Sequence, residues 1–291
     1  MNLGRIGVWA FLDALRADET AAFARRVEAL GYGTLWFPEI RGRNSFVQAG
    51  WLLTATQRMI VASGIANIYL REPFAVATAQ RTLAEQSGGR YLLGLGLSHK
   101  PMVEGVLARD YASPLATVRA YLDGIERAAY ASLEPPEKPP LVLAALAPKL
   151  LAMAAERTQG AHTFLVPPAH TALARRALGD GPWLCVEQKV ILESDPARAR
   201  SIARKGCAFY LGLANYQASL RRLGYEDADL VDGGSNRLID ALVAWGSEAE
   251  IAARIQEHFD SGASHVCINP IDPTGGDRPD ARVLEALAPG V

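Results

Sequence analysis

Residues 141–166, LVLAALAPKLLAMAAERTQGAHTFLV, contain two short apolar runs on either side of a helix-like segment. The runs LVLAAL and AHTFLV have the length and composition of buried strands. The segment between them, PKLLAMAAER, begins with proline, which is favoured in the first turn of a helix. A strand, a helix and a second strand in this order are typical of two parallel strands joined by a crossover helix.

The same alternation extends from this unit towards both ends of the chain. Upstream, the strand-like runs are RIGVWAF, TLWFPE, MIVASGIANIY and YLLGLGL, and downstream they are WLCVEQKVILE and HVCINPI. Eight such runs alternating with helices predict an α/β fold, a (β/α)8 TIM barrel, with an open doubly wound sheet as the alternative. We expect a single domain over residues 1–291, with an insertion at approximately 213–245 before the last helix–strand unit. The insertion is a candidate lid or oligomer contact.

The composition excludes several classes of function. The 291 residues carry a formal net charge of −1, so no basic surface for nucleic acid or for an anionic membrane is expected. Cys185, Cys207 and Cys267 are isolated, which suits neither a zinc site nor a disulfide framework and fits a reducing cytoplasm. We expect no signal peptide and no membrane span. The sequence therefore predicts a cytoplasmic protein without a bound metal that acts on a small molecule.

In a barrel of parallel strands, the active site is built at the carboxyl ends of the strands. The candidate residues are therefore those that end each strand-like run. In chain order they are Glu39, Gly64, Ile65, Asn67, Ser98, His99, Ala147, Pro148, Lys149, His162, Glu187, Lys189 and Asn269.

The stretch GLGLSH, residues 94–99, raises two questions. It lacks the third glycine of a dinucleotide fingerprint and lies on the fourth strand, so it is not one. Gly94 and Gly96 either simply reduce crowding in the barrel or leave room for a flat ring, because glycine in a strand signals both. His99 ends this strand, and an imidazole has a pKa suited to proton transfer near neutrality. The alternative is a histidine bonded to a neighbour with no role in chemistry.

The third strand has a glycine, Gly64, at its centre in VASGIANIY, residues 61–69. A glycine in a strand marks a bulge, a bend or a close approach of a ligand to the backbone. A second possible ligand contact lies at the helix that starts with Ala147, Pro148 and Lys149 directly after a strand. The free N–H groups of a helix N-terminus favour an anion, although a proline start is also common in ordinary helices.

Taken in order, these segments resemble the bacterial luciferase-like superfamily, and within it the oxidoreductases that use the deazaflavin coenzyme F420. The stretches that carry the resemblance are LGYGTLWFPE, ASGIANIYLREP, LAEQSGGRYLLGLGLSHKPMVEG, LVLAALAPKLLAMAAERTQGAHTFLV, and LRRLGYEDADL with ALVAWGS. They lie within residues 30–270, which is most of the chain.

The resemblance implies a role for several positions. The third strand of this superfamily carries a cis peptide bond without proline that backs the ring, which here falls at Gly64–Ile65. Relatives often carry a histidine on the loop after the second strand, where this chain has Glu39 followed by Ile40 and Arg41. A glycine is commoner at the position of Ala147. The implied cofactor-binding residues are Gly64, Ile65, Asn67, Gly96, Ser98, Ala147, Pro148, Lys149, Gly160, Ala161 and His162, of which the last six would hold the cofactor phosphate.

The implied activity is hydride transfer between C5 of coenzyme F420 and a small organic substrate, with His99 as the proton partner and Glu39 as the second candidate. The alternatives are a luciferase-like monooxygenase that uses flavin mononucleotide (FMN), and a non-catalytic flavin-binding protein on the same barrel. Both cofactors are flat tricyclic rings with a ribityl phosphate. The resemblance also implies a homodimer.

Overall fold

The computed structural model describes residues 1–274 and 278–289, and a closed parallel barrel lies at its centre. The barrel strands are β1 (Ile6–Trp9), β2 (Thr34–Phe37), β3 (Ile60–Ser63), β5 (Tyr91–Gly96), β6 (Leu141–Ala144), β7 (Gly160–Thr163), β8 (Trp183–Ile191) and β10 (His265–Pro270). Strand β10 pairs in parallel with both β1 and β8, which closes the sheet on itself. The predicted (β/α)8 TIM barrel is therefore confirmed, and the open doubly wound alternative is wrong.

Two short strands supplement the barrel. Strand β4 (Ala66–Asn67) continues β3 after a break and pairs with the end of β5. Strand β9 (Val243–Trp245) pairs with the last residues of β8.

Helices follow the strands and surround the barrel. They are α1 (Ala17–Ala29), α2 (Ser45–Ala55), α3 (Pro73–Gln86), α4 (Lys100–Gly105), α5 (Pro114–Glu126), α6 (Pro148–Arg157), α7 (Pro168–Leu178), α8 (Pro196–Leu211), α9 (Ala214–Arg222), α10 (Asp227–Leu230), α11 (Asn236–Leu242), α12 (Glu248–Asp260) and α13 (Ala281–Ala286). Residues 213–245 therefore form α9, α10, α11 and β9. Among the described residues, every helix is too short or too polar to span a lipid bilayer.

Proline sets the start of several helices. Helices α3, α5, α6, α7 and α8 have proline in their first turn, where its missing N–H has no intrahelical partner to lose. Helix α5 stops at Glu126. The chain beyond it turns back onto α3, where the hydroxyl of Tyr130 lies 3.1 Å from Thr82 Oγ1. This contact fixes Tyr130 outside the helix.

The core of the described residues has three parts. The largest lies between the outward side chains of the strands and the helices. A second joins the end of β8 to helices α8, α9 and α11. The third fills the barrel with inward side chains, namely Leu3, Trp9, Trp36, Ile60, Ala62, Leu92, Val142, Cys185 and Cys267. Because successive strand residues point to opposite faces, Trp36 lies inside while its neighbour Leu35 packs against the helices. These side chains fill the barrel below the carboxyl ends of its strands, which form the mouth of the barrel. Among the described residues, a ligand therefore meets the barrel interior only at this mouth.

Candidate active site

The third strand is interrupted at Gly64–Ile65, which is joined by a cis peptide bond, as predicted. Several polar groups around this bulge are bonded within the protein. Gly64 N donates to Phe37 O at 2.7 Å, and the Trp9 indole Nε1 donates to Gly64 O at 3.1 Å. Ile65 O accepts from Glu39 N at 3.2 Å. The bulge is therefore fixed by β1 and by the loop after β2, and the side chain of Ile65 remains partly exposed at the barrel mouth.

Gly94 and Gly96 of β5 make room for this bulge. A Cβ atom on Gly94 would overlap the carbonyl oxygen of Ser63, and a Cβ on Gly96 would lie 2.7 Å from Ile65 Cγ1. The Ser63 hydroxyl bonds Gly94 as both donor and acceptor, at 2.9 Å in each case. A flat ring was one of two explanations for the space beside these glycines. The bulge itself occupies this space. Gly64 is equally confined, because an added Cβ would lie 2.7 Å from Trp9 Nε1.

Glu39 is a buried hub of hydrogen bonds behind the bulge. Its carboxylate forms a two-point ion pair with Arg71 and accepts from Ser45 N at 2.9 Å and from Asn67 N at 3.1 Å. Burial alone raises the pKa of Glu39, but the hydrogen bonds from these groups outweigh it and the pKa is lowered. A carboxylate with four donors and a low pKa is poorly suited to exchange a proton with a ligand.

His99 lies at the mouth, immediately before α4, and is partly exposed. Rings of Phe209, Tyr210 and Tyr216 surround its imidazole, with ring centres 6.2, 6.3 and 5.8 Å away. Among the described residues, its buried Nδ1 has no hydrogen-bond partner. Burial lowers the pKa of His99, and a hydrogen bond from the imidazole to the Asn215 side chain opposes this in part. The structure therefore presents a neutral imidazole with a free nitrogen at the strand ends.

The expected phosphate residues fall into two separate groups. Ala147, Pro148 and Lys149 are exposed at the start of α6, and Ala147 has no side-chain cap bond. In contrast, Gly160 aligns with Val142 in the middle of the wall, below the mouth. A Cβ on Gly160 would overlap the Trp183 backbone, so this glycine serves strand packing.

His162 points into the barrel and away from α6. Its imidazole stacks on Trp36 with ring centres 4.7 Å apart and 10° between the planes. It is 2% exposed, and burial lowers its pKa to about 3. Gly160, Ala161 and His162 are the first three residues of β7, and His162 aligns with Ala144 at the end of β6. Their role in closing a phosphate site opposite Lys149 stays a prediction.

A buried charged pair lies inside the mouth on β8. Lys189 Nζ is 3.4 Å from Glu187 Oε1, and the two side chains are 2% and 0% exposed. Glu187 also accepts from Asn269 Nδ2 at 2.7 Å and from Leu165 N at 2.9 Å. Partly exposed rings of Phe11, Phe164 and Tyr210 lie above and around this pair.

Residues 3–265 match the luciferase-like monooxygenase family. This chain belongs to that family. It is therefore a luciferase-like oxidoreductase, and its fold is the barrel described above.

Two curated family relatives can be aligned over most of the chain. A Mycobacterium tuberculosis protein named "Putative coenzyme F420-dependent oxidoreductase" is 28% identical over 275 residues, covering 77% of this chain and 78% of the relative. The 5,10-methylenetetrahydromethanopterin reductase of Methanolobus tindarius is 23% identical over 301 residues, covering 87% and 90%.

Solved structures of family-like proteins share the fold. An F420-dependent secondary alcohol dehydrogenase aligns with a TM-score of 0.77 at 16% identity, covering 100% of this chain and 98% of that one. The coenzyme F420-dependent tetrahydromethanopterin reductase of Methanopyrus kandleri aligns with a TM-score of 0.79 at 18% identity, covering 100% and 99%. The oxygenating constituent of 3,6-diketocamphane monooxygenase from Pseudomonas putida, in complex with FMN, aligns with a TM-score of 0.70 at 17% identity, covering 100% and 98%.

Sequence reasoning missed the aromatic side chains that surround His99 at the mouth of the barrel. Glu187, Lys189 and Asn269 were expected at strand ends, but nothing in the sequence paired them. Phe209, Tyr210 and Tyr216 lie at the end of α8 and in α9, far from the strands in sequence. The run of aromatic residues near the start of residues 213–245 was the one signal that could have indicated a cover over the mouth.

Proposed function

We propose that this luciferase-like oxidoreductase transfers a hydride between C5 of coenzyme F420 and a small organic substrate. The observation that carries the proposal is the barrel mouth itself, where His99 offers an unpartnered buried nitrogen beside partly exposed apolar side chains. When bound, the deazaflavin supplies the hydride donor or acceptor at C5. The relative from Mycobacterium tuberculosis carries this cofactor in its name, which supports F420 over FMN.

The residues at the mouth fit a flat tricyclic ring. Phe11, Ile65, Ala144 and Phe164 come from four parts of the barrel wall and are all partly exposed there. Their side chains are apolar, as the walls of cofactor sites usually are. The bulge residue Ile65 would contact the ring, and Gly64 and Gly96 would act indirectly by allowing the bulge to form. Asn67, which holds the next turn by accepting from Tyr69 N at 3.0 Å, would support the bulge from behind.

The roles of the polar residues follow from their bonding. His99 would exchange the proton that accompanies the hydride, since its Nδ1 is free and its imidazole is neutral near pH 7. Ser98, directly before it, has a left-handed backbone with φ 57° that directs His99 towards the mouth. Glu39 would position the bulge and not exchange protons, because its carboxylate is occupied by Arg71 and two backbone N–H groups.

We propose that the cofactor phosphate binds at the start of α6. Ala147 and Lys149 are exposed there, and Ala147 at the N-cap position has no side chain that could compete for the free N–H groups. The N–H groups of such a helix end and the positive end of its dipole favour a phosphate, and the Lys149 ammonium adds charge.

A binding titration tests the proposal. Purified protein is titrated with coenzyme F420 and with FMN, and binding is followed by the cofactor fluorescence. We expect tighter binding of F420. Tighter binding of FMN would replace the proposal with a flavin-dependent monooxygenase, the activity that the family's description and the FMN complex of a structural relative favour. Binding without any reduction of F420 by substrates would favour a non-catalytic flavin-binding protein.

A further inference from the structure

Lys189 has an unusual environment for a buried cation. Its ammonium lies 4.7 Å from the ring centre of Phe164, 5.7 Å from that of Tyr210 and 6.0 Å from that of Trp9. The side chain is 2% exposed. Aromatic faces attract a cation, but they offer no lone pair that could accept a hydrogen bond.

The hydrogen-bonding capacity of this ammonium is largely unused. A lysine ammonium has three donors, and the nearest acceptor is Glu187 Oε1 at 3.4 Å, longer than the roughly 2.7–2.9 Å of a strong charged hydrogen bond. Among the described residues, Glu187 Oε1 is the one oxygen that pairs with Lys189 Nζ. Glu187, in contrast, is held by Asn269 Nδ2 and Leu165 N. The carboxylate therefore fixes the lysine in place and leaves donors for a further oxygen atom.

This cation lies on the far side of the mouth from the bulge. In the closed order of barrel strands, β3 and β8 are separated by four steps in either direction. A ring backed by the bulge would therefore present its open face towards β8. The rings of Phe164 and Tyr210 lie next to the ammonium, and both are partly exposed at the mouth. Side chains, and not backbone, therefore separate the ammonium from the mouth.

We propose that Lys189 is the oxygen-binding group for the substrate, and that the substrate is a planar, unsaturated compound with a carbonyl or carboxylate oxygen. This inference rests on the proposed function. The rings around the mouth match a planar body, and the ammonium matches an oxygen that becomes negative. In the reducing direction, the substrate carbon accepts the hydride and the electron pair of its C=O bond moves to the oxygen. Lys189 would hold this oxyanion until the imidazolium form of His99, which takes up its proton from solvent, donates that proton to the oxygen; this gives the alcohol and returns His99 to its neutral form.

Benzoate is a suitable probe, since it combines an aromatic ring with a carboxylate. Its binding to the cofactor-free protein is measured by isothermal titration calorimetry for wild type, Lys189→Met and Lys205→Met. Lys205 is an exposed lysine of α8 and serves as the matched control. We expect saturable binding to wild type and to Lys205→Met, and an affinity at least about tenfold lower for Lys189→Met, the effect of losing one charged hydrogen bond.

Lys189→Met leaves Glu187 as an unpaired buried carboxylate, which threatens folding. The double variant Lys189→Met with Glu187→Gln removes both charges and should fold and lose benzoate binding in the same way. Absence of saturable binding to wild type, or equal affinity in either Lys189 variant, overturns the inference. The F420 titration is independent of this result. If F420 fails to bind while benzoate binding depends on Lys189, the proposed cofactor is wrong but the oxygen site stands.

Discussion

At the scale of single residues, the histidines of this chain differ in one decisive respect. Burial lowers the pKa of His162 and His258 to about 3 and that of His265 to about 4. These rings lie in the core, where they cannot meet a ligand. His99 is the one of these four that is partly exposed at the mouth. Position, and not residue type, therefore makes His99 the proposed proton carrier.

His99→Asn tests this role. Asparagine can occupy the same site and form hydrogen bonds, but it cannot ionise. We expect F420 affinity close to that of wild type and turnover lower by about 10²–10⁴, the usual contribution of general acid–base catalysis. The pH profile of turnover should also lose the ionisation below pH 6.5 that a lowered histidine pKa predicts. Loss of F420 binding together with an unchanged pH profile would instead make His99 a binding residue.

The residues that sequence reasoning placed correctly are those whose role follows from position along a strand. Gly64 at the centre of a strand predicted the bulge, and Ser98 and His99 were expected at the mouth. Lys189 was expected at a strand end, but its pairing with Glu187 and its aromatic enclosure depend on side chains from distant segments. No local pattern encodes such contacts.

At the scale of elements, the bulge depends on contacts between neighbouring segments. Glu39 of the loop after β2 binds the start of α2 through Ser45 N, the start of the turn after β4 through Asn67 N, and Arg71 beyond it. Gly94 and Gly96 of β5 accommodate the same bulge, and Trp9 of β1 binds it. The four consecutive strand–helix units that begin with β1, β2, β3 and β5 therefore share one local geometry. This explains why the alternation of strands and helices was predictable while the purpose of the β5 glycines was not.

Glu39→Gln is expected to act on stability. The substitution keeps the shape of the side chain but leaves the Arg71 guanidinium, which is 15% exposed, without its counter-ion. Removing one partner of a buried ion pair typically costs about 3–5 kcal/mol. Urea unfolding should therefore show a lower free energy of unfolding, and turnover per folded molecule should fall much less than in His99→Asn. Full stability with a selective loss of turnover would restore Glu39 as a catalytic candidate.

The end of β7 was not predicted. AHTFLV was expected to form a strand over residues 161–166, yet the paired part of the strand is Gly160–Thr163. The chain leaves the sheet at Phe164, and Leu165 adopts a left-handed backbone with φ 54°. Its N–H is then free to bond Glu187. An apolar run without a glycine or proline gives no sign of such an exit, so the sequence could not set the level of these residues in the barrel.

At the scale of the whole molecule, the buried histidines couple stability to pH. Their pKa values are lowered in the folded state, so the unfolded chain binds more protons below about pH 6.5. The free energy of unfolding should therefore keep its full value above that pH and fall as the pH drops towards 4. For His265, with a pKa of about 4, the loss at pH 5 is on the order of 2 kcal/mol. Urea unfolding at pH 7.5 and pH 5 checks this, and His265→Gln should reduce the difference; equal stability at both values would contradict it.

The outer surface also bears on assembly. Helix α2, SFVQAGWLLTA, contains no charged residue, although it lies on the outside of the barrel. Its inner face packs through Ala49, Leu52 and Leu53, while Val47 is 74% and Trp51 47% exposed. A helix that is apolar on all sides is usually buried on all sides. We therefore propose that α2, with the exposed Phe74 at the start of α3, is covered by a second copy of this chain.

Val47→Glu tests the homodimer. Val47 makes α2 apolar on its outer face. A carboxylate at this position would lose its hydration in an interface, and α2 has no cationic side chain to pair with it. Light scattering of wild type should give twice the mass of the 31.3 kDa chain, and Val47→Glu should shift the protein towards the monomer with unchanged thermal unfolding at low concentration. Leu133→Glu is the matched control, since Leu133 is 75% exposed and lies after α5, outside the proposed surface of α2 and Phe74. A monomeric wild type, or an equal effect of both substitutions, would mean that α2 faces water in the native protein.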